Sequence, residues 1–510
     1  MTPKRPAPAP RAAAPAPARS PVLLLVLLLA AFLRLWKIDS PVGGFHAFNE
    51  AFYVLIAQNF FHSSLLAPTP DGHEILLQHP PLYPYLVHAA FRTAGVSVVA
   101  ARLVSVAASL GLVIVSFLLA RELYGPSAAG TAAVFLAVAP MSVLTGRNAQ
   151  TDATFVFLMT LGVLLYARAG RRGLRWAACG LAFGLALFTK LFTLVVGPAL
   201  VLAEVLVAGG FSWLRERGRW IGLAAALAVP GTYYGYQALT HRAELFQEVR
   251  AGAGLTRSLS TSAADLPLVL REALWGFSPI VAVLSAVGLV AALWRPRDRS
   301  TALALCPFLA FVVFCFFVHK HSYYLLTLLP WSAVLAGRAL SALPRLLRGA
   351  VLVVAAGSGA FASAVDLCSM KLGFSEFASF GHTAANLPGE THFYRTGPDV
   401  RESYGTVVQL YDPKARLLSG TAAAGEGEET WLLAFVPPQA RIPSGGWLFE
   451  RERYGLELFG FSFAEAHENA NFFGQGRYLV LRTGAPSDFG LRQLRRYTAL
   501  ALAPLGGSGP

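Results

Sequence analysis

A few polar residues with spacings suited to chemistry stand out in a largely apolar chain. His46-Ala-Phe-Asn-Glu-Ala-Phe-Tyr53 sets Asn49 and Tyr53 four apart and Glu50 and Tyr53 three apart, so on a helix all three share a face. A carboxylate held at a membrane surface can take the proton of an acceptor hydroxyl. Gln78-His-Pro-Pro-Leu-Tyr-Pro-Tyr85 offers His79 and tyrosines to a phosphate or a sugar. Gly146-Arg147-Asn-Ala-Gln-Thr-Asp152 puts a cation and an acid five residues apart, and Phe188-Thr-Lys190 and His319-Lys320-His321 add a cation each. Cations brought to one side from separate hairpins suit a lipid-linked phosphate, because they stabilise the charge that grows on a phosphate leaving group.

Each residue taken singly also has a plainer reading. Glu50 reads as a solvated surface acid, and His46 with Glu50 as a helix cap rather than a metal pair. The segment around His79 reads as a proline-fixed, non-helical loop with interfacial aromatics, since Pro80, Pro81 and Pro84 restrict the backbone. Arg147 and Asp152 read equally as an ion pair or cap and as a phosphate-facing cation with a second acid. Lys190 and Lys320 read as snorkelling anchors.

The elements that must position these residues are set by composition. Of the 510 residues, 55% are hydrophobic and 14% charged, and the mean hydropathy is +0.52. A soluble domain carries about 25% charged residues, so a simple cytosolic enzyme and a disordered chain are both excluded. The net charge of +14 could suggest nucleic acid, but its location argues otherwise. Residues 370–510 hold 13 basic and 14 acidic side chains, so the excess lies wholly within the apolar part. Basic loops beside membrane spans account for it better than a nucleic-acid face does.

Eleven apolar runs, at 21–36, 98–120, 127–144, 152–168, 174–189, 191–209, 219–238, 271–293, 301–318, 322–340 and 347–366, are near the length needed to cross a bilayer. The first lacks a small-x-small cleavage site, and Arg34, Trp36 and Lys37 read as its interfacial anchor, so it is an uncleaved span. With the N-terminus inside, the inner loops hold fourteen arginines, and the short outer hairpins hold one cation each, Arg147, Lys190 and Lys320. That asymmetry fixes the expected topology, with the C-terminal region outside. The expected organisation is a disordered cytoplasmic tail (1–20), a membrane domain (21–369) with a long outer loop (37–97), and a small extracytoplasmic α/β domain (370–510). Phe45, Phe48, Phe52, Leu55 and Ile56 mark an amphipathic helix that opens at His46 and runs to about 61, lying in the interface. Strand-like runs at 431–436 and 478–481 support the last domain. Cys179, Cys306, Cys315 and Cys368 have neither metal-ligand spacing nor a disulfide pattern. Glu204 and Asp366 sit toward span ends, whereas a transporter places ionisable groups near the midplane.

The ordered set of Asn49-Glu50, His79-Pro80-Pro81, Arg147 with Asp152, Gly180-Leu-Ala-Phe-Gly-Leu-Ala-Leu-Phe-Thr-Lys190, and Lys320 with Tyr323, Tyr324 and Pro330 resembles the polyprenyl-phosphate-sugar glycosyltransferases of the GT-C fold. That superfamily includes dolichyl-phosphate-mannose protein mannosyltransferases and lipid A aminoarabinose transferases. The resemblance covers about residues 20–340. Where such enzymes carry Asp-Glu, with the Asp as catalytic carboxylate, this chain has Asn49-Glu50; where they often carry Lys-Pro it has His79-Pro80. An amide cannot act as a base. The resemblance therefore implies an inverting sugar transfer at the outer face with Glu50 as base and Asp152 supporting it. Arg147, Lys190 and Lys320 would hold the donor phosphate, and His79, Tyr53 and Asn49 would line the site. The donor is a mannose-like hexose or an aminopentose on a polyprenyl phosphate. The acceptor is a protein, a glycolipid or a cell-wall polymer, and nucleic acid is not expected. No cofactor is indicated, and a divalent cation stays open because acids and histidines are present without convincing ligand spacing. A polyprenyl-lipid flippase without transfer activity is the alternative, and an inactive scaffold is a third reading.

Overall fold

The structure, a computed structural model, describes residues 21–369 apart from 41, 43–46, 70–74, 76, 78, 171, 248, 251–265 and 319–321, and then 392–394, 410, 416–418, 430–436, 446–449, 456–458, 461–463 and 477–483. The tail 1–20, His46, Lys320 and its flanking histidines lie outside the described residues.

All eleven apolar runs are helical. They form α1 (Pro21–Leu35), α4 (Val98–Tyr124), the broken pair α5 (Pro126–Val138) and α6 (Pro140–Thr145), α7 (Thr151–Arg168), α8 (Gly173–Leu187) and α9 (Val196–Ala208). They continue as α10 (Arg217–Thr240), the pair α11 (Leu266–Phe277) and α12 (Pro279–Leu293), α13 (Arg299–Val313), α14 (Leu329–Ser341) and α15 (Arg345–Ser369). Five of the described helical stretches are long and apolar enough to cross a membrane, or six if a bent pair counts as one span. That pair is α11 and α12, bent by 101° at Ser278, whose φ is 72°.

Small residues bring the helices together. Every residue of α5 from Ala132 to Val138 except Val134 is buried, and three of these seven positions, Ala132, Ala133 and Ala137, are alanine, which lets neighbouring backbones approach closely. Between α8 and α10 the contact is tighter still. A Cβ on Gly180 would overlap the Gly222 carbonyl, and one on Gly184 would lie 2.7 Å from the Ala226 carbonyl oxygen.

The break between α5 and α6 follows from Pro140, which has no N–H to donate to the preceding turn. Backbone carbonyls freed inside a membrane need another donor, and Arg34 supplies it. Its guanidinium donates to Ala137 O at 3.0 Å, Leu136 O at 3.1 Å and Ser142 Oγ at 2.8 Å, and its Nε donates to Ser109 Oγ at 2.7 Å. Arg34 is therefore not the interfacial anchor expected from sequence; it is fully buried.

Two further expectations are corrected in the outer region. The amphipathic segment is a helix, α2 (Ala47–Asn59), but it does not lie on the bilayer surface. Val54, Leu55 and Ile56 are buried, with Tyr53, Val54 and Ile56 in one cluster with Tyr83, Val87, Phe91 and Ala101. The proline-rich segment is not wholly non-helical. It opens α3 (Leu82–Ala94) with Pro81 just outside and Pro84 in the first turn, where an N–H has no intrahelical acceptor anyway. Gly95, at φ 83°, ends that helix.

Beyond residue 391, β1 (His392–Tyr394), β2 (Arg416–Leu418), β3 (Thr430–Val436), β4 (Gly446–Phe449) and β7 (Arg477–Thr483) form one mixed sheet in the order β2-β1-β3-β7-β4. The two runs singled out as strands are thus β3 and β7, paired antiparallel with Leu433 opposite Val480. A separate antiparallel pair joins β5 (Leu456–Leu458) and β6 (Phe461–Phe463).

Candidate active site

Two polar clusters stand side by side at the same end of the helices. The first is built around Arg102, on the second turn of α4. Its Nε donates to Glu50 Oε1 at 2.7 Å and its Nη2 to Glu50 Oε2 at 2.8 Å, a fork-on-carboxylate pair. The Ala149 N–H adds a third donor to Oε1 at 2.8 Å, and Arg102 Nη1 donates to Ile38 O at 2.7 Å and to Ser40 O. Arg147 joins this knot by donating to Lys37 O at 2.6 Å. Burial, then the neighbouring Arg102 charge, lowers its pKa to about 10.

This geometry argues against Glu50 as the base. Its carboxylate is fully buried, and both oxygens accept charge-assisted or backbone hydrogen bonds. Such a group fastens α2 to α4 and to the 146–150 hairpin; it does not meet an acceptor hydroxyl. Asn49, one residue earlier, is half-buried on α2.

The second cluster gathers Tyr53, His79, Asp152, Lys190 and Tyr324. Asp152 sits in the first turn of α7, where the helix dipole favours an anion. Lys190 Nζ lies 2.7 Å from Asp152 Oδ1. The same ammonium stands 4.8 Å from the Tyr324 ring centroid and 5.3 Å from that of Phe192, a cation–π setting. Tyr53 Oη is 3.3 Å from His79 Nδ1, and the two rings meet edge-on. Burial raises the Tyr53 phenol pKa, with Asp152 and Tyr324 adding to the rise, while a Thr151 hydrogen bond opposes it. Burial, then the Lys190 charge, lowers the His79 pKa to about 4. Behind this wall Tyr83 bonds Ser105 Oγ at 2.8 Å, and the Leu82 N–H donates to Phe188 O at 3.2 Å, tying α3 to the end of α8 next to Lys190.

The depressed His79 value has a measurable sign. Unfolded, its imidazole titrates near about 6.5; folded, it stays neutral to about 4. Between those values the unfolded chain binds a proton that the folded one excludes, so stability falls as pH drops from about 6.5 toward 4. Thermal melting in detergent at pH 7 and at pH 5 is expected to show a smaller drop for His79→Gln than for the unmodified chain; equal drops would refute the assignment.

The candidate residues therefore divide. Tyr53, His79, Asp152 and Lys190 are brought together, Glu50 and Arg147 stand in the adjoining knot, and Lys320 is outside the described residues. Arg102 and Tyr324 complete the picture. The sequence reading passed over Arg102 as one residue of an apolar run; a lone arginine inside such a run is itself a signal that it has a buried partner. Among the described residues no group of three or more His, Cys, Asp or Glu is arranged to hold a metal ion.

Residues 78–234 match the sequence profile of the dolichyl-phosphate-mannose-protein mannosyltransferase family. YkcB of Bacillus subtilis is 30% identical over 216 residues, which are 41% of this chain and 29% of YkcB. The chain thus spans less than a third of that relative's length. Among solved structures, ArnT from Cupriavidus metallidurans bound to undecaprenyl phosphate matches with a TM-score of 0.63 at 17% identity, over 81% of this chain and 91% of ArnT. The archaeal oligosaccharyltransferase AglB from Archaeoglobus fulgidus, in complex with an inhibitory peptide and a dolichol-phosphate, matches with a TM-score of 0.56 at 12% identity, over 79% and 64% of the two chains. The chain therefore has the fold seen in ArnT and AglB, and its 78–234 segment matches the dolichyl-phosphate-mannose-protein mannosyltransferase profile.

Proposed function

We propose that the chain is a membrane glycosyltransferase that moves a sugar from a polyprenyl phosphate to an acceptor hydroxyl, with inversion, on the outer face of the plasma membrane. The observation that carries this reading is the Asp152–Lys190 pair, at 2.7 Å, framed by Tyr53, His79 and Tyr324. The donor phosphate competes with Asp152 for the Lys190 ammonium. Once the phosphate takes it, the Asp152 carboxylate is released toward the acceptor. The acceptor oxygen bonds to the anomeric carbon, the bond from that carbon to the phosphate oxygen breaks, and its electron pair leaves with the phosphate. Asp152 takes the hydroxyl proton, and Lys190, with Arg147 behind it, stabilises the leaving charge. Tyr53, His79 and Asn49 line the sugar, with His79 neutral and so a hydrogen-bonding group. Glu50 holds α2 in place instead of acting as base. Lys320 is a second phosphate-facing cation in this reading.

The donor's sugar is a mannose-like hexose or an aminopentose, and the acceptor is a protein, a glycolipid or a cell-wall polymer. The proposed topology is eleven spans with the N-terminus cytoplasmic. Residues 1–20 form a cytoplasmic tail, and residues 370–510 form a small extracytoplasmic α/β domain. What supports the acceptor side of this reading is the peptide complex of AglB and the family matched by 78–234.

The test is to incubate the purified protein with a labelled polyprenyl-phosphate sugar, with and without a membrane and cell-wall extract. Release of polyprenyl phosphate with label moving to a new product is expected, and the product names the acceptor class. Intact donor with every sugar tried would favour the flippase or the non-catalytic reading that Asn49 suggests; movement of labelled lipid across vesicles would separate those two.

A further inference from the structure

An apolar cavity lies away from the polar clusters. It has a volume of about 470 Å³ and opens between α8, α9 and α10. Its origin is local: the glycine contact draws α10 onto α8, while the turn at Leu191–Val195 carries α9 aside. Its walls are apolar, with Phe183 on α8, Leu200 on α9 and Leu223 on α10. Its upper end reaches Leu187 and Thr193, and Thr193 Oγ1 donates to the backbone oxygen of Lys190 at 3.0 Å. The upper end of the cavity is thus bonded through Thr193 to the backbone of Lys190.

Its lower end is different in kind. Arg219 lies among the rings of Tyr166, Trp176 and Trp213, with 5.6, 5.2 and 5.3 Å from its guanidinium carbon to the three ring centroids. Arg219 is paired with Glu204 at 3.1 Å and with Glu216 at 3.1 Å, and the Tyr166 hydroxyl donates to Glu204 Oε1 at 2.9 Å. Tyr166, Trp176, Trp213 and Arg219 all line the cavity. Ionisable groups at such depth are costly unless mutually satisfied. Here they are, and together they close the apolar space from below with a rigid polar cage.

We propose that this cage is the floor of the groove that takes the donor's polyprenyl chain, and that it sets how much of that chain the protein grips. The inference rests on the transferase reading above. Isoprene units nearest the phosphate run down α8 from Leu187, and the chain meets the Arg219 cage at Trp176. Eleven helical residues at about 1.5 Å each make that path about 16 Å, after which a longer chain must turn out into the bilayer. Rate enhancement from chain length therefore ends at the floor.

Gly197 gives the test. It lines the cavity, and a Cβ there meets nothing within 4 Å, so a side chain can start from this position and Gly197→Phe puts a ring into the groove. A series of prenyl-phosphate sugars of increasing length is assayed for kcat/KM. The unmodified protein is expected to gain with each added unit up to the length of the groove and then level off. Gly197→Phe is expected to level off at shorter chains and to lose tenfold or more with long donors, with its smallest loss on the shortest donor. Identical length profiles for two folded proteins would overturn the proposal. Absence of transfer with every donor would count against the transferase reading instead. The groove is then tested by photo-crosslinking with a short prenyl phosphate whose photoreactive terminal unit reaches about 16 Å from the phosphate. Labelling of Trp220 or Val201 that excess undecaprenyl phosphate competes away supports the inference. Labelling elsewhere, or labelling that only bulk phospholipid competes away, overturns it. Arg219→Met checks the floor: if it folds, its profile should extend to longer chains, and an unchanged profile would remove the cage from the role.

Discussion

Replacing Asp152 by Asn is expected to lower kcat by about 10²- to 10⁴-fold, the usual worth of a positioned base, without raising the KM for the donor. The two parameters separate because Asp152 has two roles in the proposed reaction. As a carboxylate it takes the acceptor proton, so its loss falls on the chemical step. As the partner of Lys190, at 2.7 Å, it also competes with the donor phosphate, so its neutralisation frees the ammonium and leaves donor binding unweakened or tighter. Lys190→Met should behave oppositely in binding, with a higher donor KM along with a kcat loss, since the phosphate loses a cation both on arrival and as it leaves. Steady-state kinetics on the purified variants reads both parameters. An Asp152→Asn enzyme with undiminished kcat would take the proton transfer away from this residue.

The second large effect belongs to Arg102→Met. This change leaves the Glu50 carboxylate buried with the Ala149 N–H still donating to it at 2.8 Å, and removes the donors to Ile38 O and Ser40 O. Breaking a buried pair from one side costs about 3–5 kcal/mol, so a large drop in melting temperature and in folded yield is expected. The double variant Glu50→Gln/Arg102→Met should lose less than the two single losses combined, because neither charge is then stranded. Additive losses would show that the two residues do not act as a pair. The same series also tests the role of Glu50: activity lost in Glu50→Gln should follow lost stability, whereas Glu50→Gln that is stable but inactive would restore Glu50 as the base.

What was legible in the sequence was what depends on local pattern. Apolar runs gave every helix of the membrane part, because hydrophobic length and flanking charge act within a single segment. They also located the hairpins that carry Arg147, Asp152 and Lys190. What was not legible depends on contacts across the chain. Glu50 and Asp152 look alike as single acids near a membrane edge; only the arrival of Arg102 from 52 residues away makes one a structural tie. Arg34 reads as an interfacial anchor until the carbonyls freed by Pro140, about a hundred residues later, are seen to need its donors. Pro81 and Pro84 read as helix-excluding because their placement within a first turn is visible only once the helix start is known. The cavity left no mark at all, since it is a gap between segments rather than a property of any one.

The cation–π contact between Lys190 and Tyr324 has a consequence for biosynthesis. Asp152 and Lys190 emerge from the ribosome close together, but the ring that covers the ammonium follows more than a hundred residues later, on the turn leading into α14. A nascent chain halted between α10 and that turn already owns the ion pair yet lacks the wall that shields it from water. For the transfer proposed above, the shielded ion pair is complete only late in membrane insertion, when the 322–327 turn docks.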